Sequence, residues 1–229
     1  MIKAILWDVD GTILDFKLAE KEAVKSCFKA LKLGEISDSQ IESYSLINKK
    51  YWERLERGEL TKQEVLLGRF KEFFSSIGID ESFAEPFNDL YQVRLGDTIS
   101  FFPGAMETLY ALKGKVVQCA VTNGTKKAQS IKLKNSGLES VFDKIYISED
   151  IGFDKPDKRF FGYVFADLSG IKKDEIIIVG DSPSGDIAGG INAGIRTCLF
   201  CPNGKAPDVK ADYIVDRLEK IIELLEEIE

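Results

Sequence analysis

The sequence predicts an α/β protein, a Rossmann-like and mostly parallel sheet core with a helical domain inserted near its start. Three observations carry that expectation. The N-terminal run Ile2 to Trp7 is apolar without alternation, as a parallel strand covered on both faces should be. Residues Leu18 to Leu95 hold helical periodicity throughout. From Pro103 onward helix and strand signals alternate, a βαβ rhythm that right-handed crossovers convert into parallel strands.

The elements follow in order. Breaks near Gly34 to Asp38, Gly58 to Thr61 and Gly78 to Ser82 divide the helical stretch into four helices. Ile41, Tyr44, Leu46, Ile47, Tyr51 and Leu55 form one apolar stripe, and Leu60, Val65, Leu66, Phe70, Phe73 and Phe74 another, so the segment can build a small core of its own. The second half reads as helix Pro103 to Lys113, strand Val116 to Thr122, a helix stopped by Gly137, and strand Lys144 to Ser148. Helix Asp157 to Leu168, with Pro156 in its first turn, leads to strand Glu175 to Gly180, helix Ser184 to Ala193 and strand Arg196 to Phe200. Strand Tyr213 to Val215 and the apolar-striped helix Leu218 to Ile228 close the chain. Residues 1–15 and 98–229 are thus expected to form the sheet core, with 16–97 as the insert.

Composition removes several classes of function. With 44% hydrophobic and 30% charged residues, 229 residues suffice for one large domain or a core plus a smaller lid. Thirty-one basic against 38 acidic residues give a net charge of -7, which argues against a grip on polymeric nucleic acid but allows a single small phosphate. No leader pattern and no apolar run approaching about 20 residues is found, so a cytoplasmic protein without a membrane partner is expected. The four cysteines are scattered, and the Cys198 to Cys201 pair lies on an apolar strand-like run, where neither metal nor redox duty is expected. There are no histidines, which excludes Ser-His-Asp and Cys-His catalysis and leaves chemistry to carboxylates and lysines.

Those groups gather at four strand ends, where open α/β sheets build their sites. Asp8-Val9-Asp10-Gly11-Thr12 follows the first strand. Thr122-Asn123-Gly124-Thr125 follows the second and precedes a helix, so a hydroxyl and backbone N–H groups would meet at a helix N-terminus, which suits phosphate; read alone it would also suit an Asn-Gly hairpin. Asp154-Lys155-Pro156-Asp157 supplies a lysine at the sheet edge, and Gly180-Asp181 to Asp186 supplies two more carboxylates. Acidic capping of a helix explains one of those two but not both. Four aspartates at one edge would repel one another by several kcal/mol unless a cation sits among them, and an all-oxygen site that keeps water suggests Mg²⁺.

Asp-x-Asp-Gly-Thr, a strand-end Thr-Asn-Gly, Lys-Pro and Gly-Asp with a second Asp five residues on, with a helical insert after the first, closely resembles the haloacid dehalogenase superfamily over the whole chain. The resemblance implies Asp8 as nucleophile, Asp10 as acid and base, Thr122, Asn123 and Gly124 as the phosphate loop, and Lys155 as the charge stabiliser that also contacts phosphate. It further implies Mg²⁺ held by Asp8, Asp10 and Asp181, with Asp186 supporting the metal shell. The physics agrees with those roles. A carboxylate attacking a phosphate of charge near -2 meets about 8 kcal/mol of repulsion at ~4 Å and an effective dielectric of about 20, which a divalent cation and a lysine offset. A halide leaves without a proton whereas an alkoxide does not, so the presence of Asp10 favours a phosphatase over a dehalogenase. A receiver-type signalling domain, the non-enzyme rival, is shorter and carries its phosphorylated aspartate after the third strand.

The inserted helices are expected to cap the site and read the unreactive part of the substrate, a small phosphorylated metabolite. Ile47 to Trp52, Gly58, Leu67-Gly68-Arg69-Phe70, Ser148 to Gly152 and Gly189 to Gly194 are similar to the pyrimidine 5′-nucleotidases of this superfamily. That likeness, with aromatic faces and polar side chains suited to a base, marks Asn48, Lys49, Trp52 and Arg69 as candidate contacts. The same residues also suit a bundle core and an ion pair. Phosphoglycolate, sugar-phosphate or pyrophosphate hydrolysis, and a phosphomutase, share the same core chemistry and stay open, as does the oligomeric state.

Overall fold

The structure, a computed structural model, describes residues 1–204 and 207–228. β1 (Ala4–Trp7) is buried along its whole length. Ile5 and Trp7 enter one apolar layer and Ala4 and Leu6 the opposite one, the two-residue period of a strand between two layers.

The chain then leaves the sheet for α1 (Phe16–Ala30), α2 (Asp38–Glu56), α3 (Lys62–Ser76) and α4 (Ala84–Arg94), the last preceded by a 3₁₀ turn Glu81–Phe83. Capping boxes start two of them, Ser37 with Gln40 on α2 and Thr61 with Glu64 on α3, so the breaks foreseen in the sequence coincide with satisfied helix ends. These helices enclose their own core of Phe28, Tyr44, Phe70, Phe73, Phe74, Phe87 and Tyr91, with Tyr44 stacked on Phe70 at 5.1 Å. Leu46 departs from the expected stripe and is 72% exposed. It stands two residues, about 200° of helix rotation, from the buried Tyr44 and so faces away from the bundle. Exit from and return to the sheet run side by side, Leu14 bridging antiparallel to Phe101 and Phe102 N donating to Ile13 O at 3.0 Å.

The return is α5 (Ala105–Leu112), β2 (Val117–Thr122), α6 (Lys126–Ser136), β3 (Lys144–Ile147), α7 (Ser148–Ile151), α8 (Lys158–Asp167), β4 (Ile176–Gly180), α9 (Ala188–Ala193), β5 (Arg196–Phe200), β6 (Tyr213–Val215) and α10 (Lys220–Glu227). The sheet order is β3-β2-β1-β4-β5-β6 with every pairing parallel, so the winding reverses between β1 and β4. That reversal opens a crevice at the strands' C-terminal ends, where Asp8 and Asp181 emerge.

Two local expectations need correction. Pro156 precedes the first turn of α8, because Asp157 caps the helix through its side chain on Arg159 N. The helix expected from Ser184 begins as a π-type turn, Pro183–Ile187, and becomes α-helical only at Ala188. The wide turn lets Asp186 reach back, its Oδ2 accepting from Ser182 N at 3.0 Å and its Oδ1 from Lys155. Among the described residues no helix is long and apolar enough to cross a membrane.

Candidate active site

Asp8 leaves β1 with its N–H on Val179 O, 2.9 Å away, so its backbone is still part of the sheet while its side chain enters the crevice. Lys155 Nζ donates to Asp8 Oδ1 at 2.9 Å, to Val121 O at 2.8 Å and to Asp186 Oδ1 at 2.6 Å, joining the ends of β1 and β2 to the turn after β4. Asn123 clasps the backbone of Lys155 with both amide atoms, Nδ2 to Lys155 O at 2.9 Å and Lys155 N to Oδ1 at 2.8 Å. Its side chain is therefore committed to placing the lysine. Thr122 Oγ1 accepts from Gly124 N at 3.1 Å, and Thr125 caps α6, so the loop turns directly into a helix N-terminus.

Asp8, Asp181 and Asp186 each bring a carboxylate oxygen within 4.8 Å of the others. Asp8 and Asp186 are buried, whereas Asp181 is exposed on the solvent side of the trio. Burial, opposed by Lys155 and reinforced by Asp186, pushes the Asp8 carboxyl up to about 7. The surrounding protein, together with Asp8 and Asp186, holds Asp181 well above the usual carboxylate range. Burial works against the charge on Lys155, but Asp186 and Asp8 beside it raise it above the ordinary lysine value. Three carboxylates thus face one ammonium, and the excess negative charge on hard oxygen donors suits a small divalent cation. Gly11, at φ +98°, makes room for Asp181: a Cβ there would lie 2.5 Å from Asp181 Oδ2.

The carboxylates of Asp10 and Asp186 lie differently from the expected metal set. The Asp10 carboxylate is outside the trio, because Gln129 Nε2 at 2.6 Å and Lys132 Nζ, both from α6, hold its Oδ2. Asp186, expected behind the metal site, is a member of the trio, with both oxygens bonded.

The helical candidates separate into two groups. Arg69 is 2% exposed and lies 4.7 Å from the Phe70 ring centroid and 5.9 Å from that of the half-buried Trp52. Its Nη1 donates to Asn48 Oδ1 at 2.7 Å and its Nη2 to Asn88 Oδ1 at 3.2 Å. Asn48 in turn donates to Glu20 Oε1 at 2.7 Å, while Gln92 donates to Asn88 at 3.2 Å and accepts from Thr125 Oγ1. Arg69 and Asn48 therefore belong to one buried chain that reaches the cap residue of α6. Lys49 is not part of it; its side chain is 75% exposed and, among the described residues, pairs only with Glu53, at 3.8 Å.

Several site residues escaped the sequence reading. Glu56, at the end of α2, accepts from Ser182 Oγ at 2.8 Å and Ser184 Oγ at 2.5 Å. Lys62, at the start of α3, pairs with Asp154 at 2.6 Å and donates to Ser148 Oγ at 2.6 Å. Between these crossings lies a cavity of about 500 Å³ bordered by Glu56, Gly58, Lys62, Asp154 and Lys155. Glu20, Asn88, Gln92, Gln129 and Lys132 left only a faint signal, a polar residue on a helix face that otherwise packs inward.

Residues 5–200 match the family of haloacid dehalogenase-like hydrolases. The chain is 33% identical over 225 residues to the HAD-hydrolase YfnB of Bacillus subtilis, covering 97% of this chain and 95% of that protein. The crystal structure of YfnB bound to magnesium superposes with a TM-score of 0.90 over 98% of each chain, at 32% identity. The pyrimidine 5′-nucleotidase PynA of Streptococcus pneumoniae is 34% identical over 204 residues, 88% of this chain and 84% of PynA. The pyrimidine 5′-nucleotidase YjjG of Escherichia coli is 29% identical over 190 residues, 80% and 81% of the two chains.

Proposed function

The chain belongs to the haloacid dehalogenase-like hydrolases, and we propose that it is a Mg²⁺-dependent phosphomonoesterase that works through an aspartyl-phosphate on Asp8 and acts on pyrimidine nucleoside 5′-monophosphates. The observation that carries the reading is Lys155, whose ammonium touches Asp8 and Asp186 while Asp181 completes a carboxylate trio open to solvent. That arrangement offers a nucleophile, a fixed positive charge and a hard-cation site within one crevice.

The oxygen donors and the surplus negative charge fit Mg²⁺, with Asp8 and Asp181 as ligands and Asp186 in the same cluster. Bound there, the ion would neutralise the phosphate oxygens during displacement. Asp8 attacks phosphorus, and its carboxylate becomes an acyl phosphate as the ester P–O bond breaks. Lys155, held by Asn123 and Val121 O, keeps its charge beside the attacking oxygen. Asp10 gives a proton to the departing alkoxide and later takes one from the water that attacks the acyl phosphate. Thr122 and the N-terminus of α6 receive the phosphate.

Residues 16–97 act as the cap in this reading. Glu56 and Lys62 hold it over the crevice, and the likeness to two pyrimidine nucleotidases supports a nucleoside leaving group. The deciding experiment is phosphate release with Mg²⁺ from UMP, dUMP, dTMP, purine monophosphates, phosphoglycolate, sugar phosphates and pyrophosphate, with EDTA as control. Pyrimidine preference abolished by EDTA is expected. Equal turnover of sugar phosphates and nucleotides would remove the substrate assignment, and full activity in EDTA would remove the metal.

A further inference from the structure

Asp10 is held in a way that none of the four strand-end motifs requires. Its Oδ2 takes two donors from one face of α6, Gln129 Nε2 at 2.6 Å and the Lys132 ammonium, spaced i and i+3. Both donors are buried, Gln129 fully and Lys132 to 2% exposure. Burying a lysine is costly unless it is paired, and its one ion pair among the described residues is with Asp10. Lys132 also lies 5.4 Å from the ring of Phe16, the first residue of α1, at the junction of core and helical insert.

The other oxygen, Asp10 Oδ1, is buried and has no hydrogen-bond partner among the described residues. An unpaired buried oxygen beside a fully bonded one calls for an explanation. Gly124 adds a second constraint, since a Cβ there would sit 2.1 Å from Gln129 Nε2. The glycine of the Thr-Asn-Gly motif thus leaves space for the amide that grips Asp10.

We propose that Lys132 and Gln129 are positioning residues that commit Asp10 Oδ2 and reserve Oδ1 as the single site of proton transfer. The inference rests on the phosphatase reading. As Asp8 attacks, the ester P–O electrons move onto the alcohol oxygen, which takes the proton from Asp10 Oδ1. In the second step water attacks phosphorus, its proton passes to Oδ1, and the electrons of the breaking P–O bond return to Asp8. Lys132 and Gln129 touch neither substrate nor phosphate; they keep one oxygen aimed at both events.

The test compares Lys132→Met, Lys132→Arg and Gln129→Leu on two esters, a nucleoside 5′-monophosphate with an alkyl leaving group and 4-nitrophenyl phosphate with an activated one. For Lys132→Met the expected result is a fall in kcat of about 10- to 100-fold on the alkyl ester, part of what general acid and base catalysis contributes. The aryl ester should lose less than about 3-fold and KM should stay within about 2-fold, because an aryl oxide leaves with less protonation. Lys132→Arg should recover most of the loss, Gln129→Leu should show a weaker version of the same ester dependence, and Lys132→Met should add less than about 2-fold in an Asp10→Asn background. Equal losses on both esters, or an undiminished loss in the Asp10→Asn background, would overturn the positioning role while the phosphatase stood. Wild-type protein that released phosphate from neither ester would overturn the phosphatase reading and this inference with it. Thermal melts of each variant separate lost positioning from lost fold, and Gln129→Leu keeps the question decidable if Lys132→Met does not fold.

Discussion

Two polar clusters, one at the sheet edge and one buried inside the helical insert, handle charge in opposite ways. At the sheet edge three carboxylates, Asp8, Asp181 and Asp186, crowd a single ammonium on Lys155. Inside the helices Glu20 and Arg69 are matched one to one, with Asn48 between them donating to the acid and accepting from the base. The first arrangement is poorly balanced on its own and would gain from an added cation; the second matches its charges, with Arg69 Nε left unpartnered among the described residues, and ties four helices together. Charge imbalance in a crevice points to chemistry, whereas balanced charge in a core points to registry.

The largest effect should come from Asp8→Asn. An amide does not attack phosphorus, so turnover should fall on the order of 10³-fold or more, while the fold holds because Lys155 keeps Asp186 as its partner. Phosphate-release assays with a thermal melt check both halves. Near wild-type turnover would remove Asp8 as nucleophile and with it the functional side of the contrast.

Arg69→Met attacks the other cluster. Removing one partner of a buried charge pair should destabilise the protein by about 3–5 kcal/mol, because Glu20 stays buried without its counter-charge. Urea unfolding measures the loss, and combining the change with Glu20→Gln should cost less than the two separate effects added together. A variant of unchanged stability but raised KM would instead make Arg69 a substrate contact and erase the distinction between the clusters.

How far each cluster could be read from the sequence follows from the same contrast. Asp8, Thr122 and Asp181 sit at strand ends, and strand ends are positions that hydrophobic runs and βαβ rhythm locate without knowledge of packing. The sheet elements were accordingly legible to within a few residues at their ends. The placements of the Asp10 and Asp186 carboxylates were not, because they depend on which donors α6 and the π-type turn bring from far along the chain. The helical cluster was still harder to read. Asn48 and Arg69 were visible as polar residues among apolar ones, but their partners Glu20, Asn88 and Gln92 lie on other helices, and helical spacing does not fix which faces meet. Lys49, adjacent to Asn48, points outward because 100° of helix rotation separates neighbouring residues.

The smallest effect concerns pH and asks how complete the balance around Glu20 is. Burial raises its carboxyl above the usual 4.5, and the bonds from Ser45 and Asn48 and the charge of Arg69 oppose that shift without cancelling it. The folded chain therefore binds this proton more tightly than the unfolded chain does. Between 4.5 and the raised value the native state carries more of the proton than the unfolded state, so stability falls as pH rises through that window. The crowded carboxylates at the sheet edge slope the same way, so wild type alone does not isolate Glu20. Glu20→Gln removes one titration and leaves the others. Urea midpoints of the two proteins measured in parallel from about pH 4 to 8 should therefore show the variant gaining relative to wild type as pH rises above 4.5, with the difference levelling once Glu20 has ionised in the folded state. A difference that stayed constant across the range would mean that Arg69 and Asn48 compensate the buried acid fully, and the separation between an imbalanced site and a balanced core would be complete.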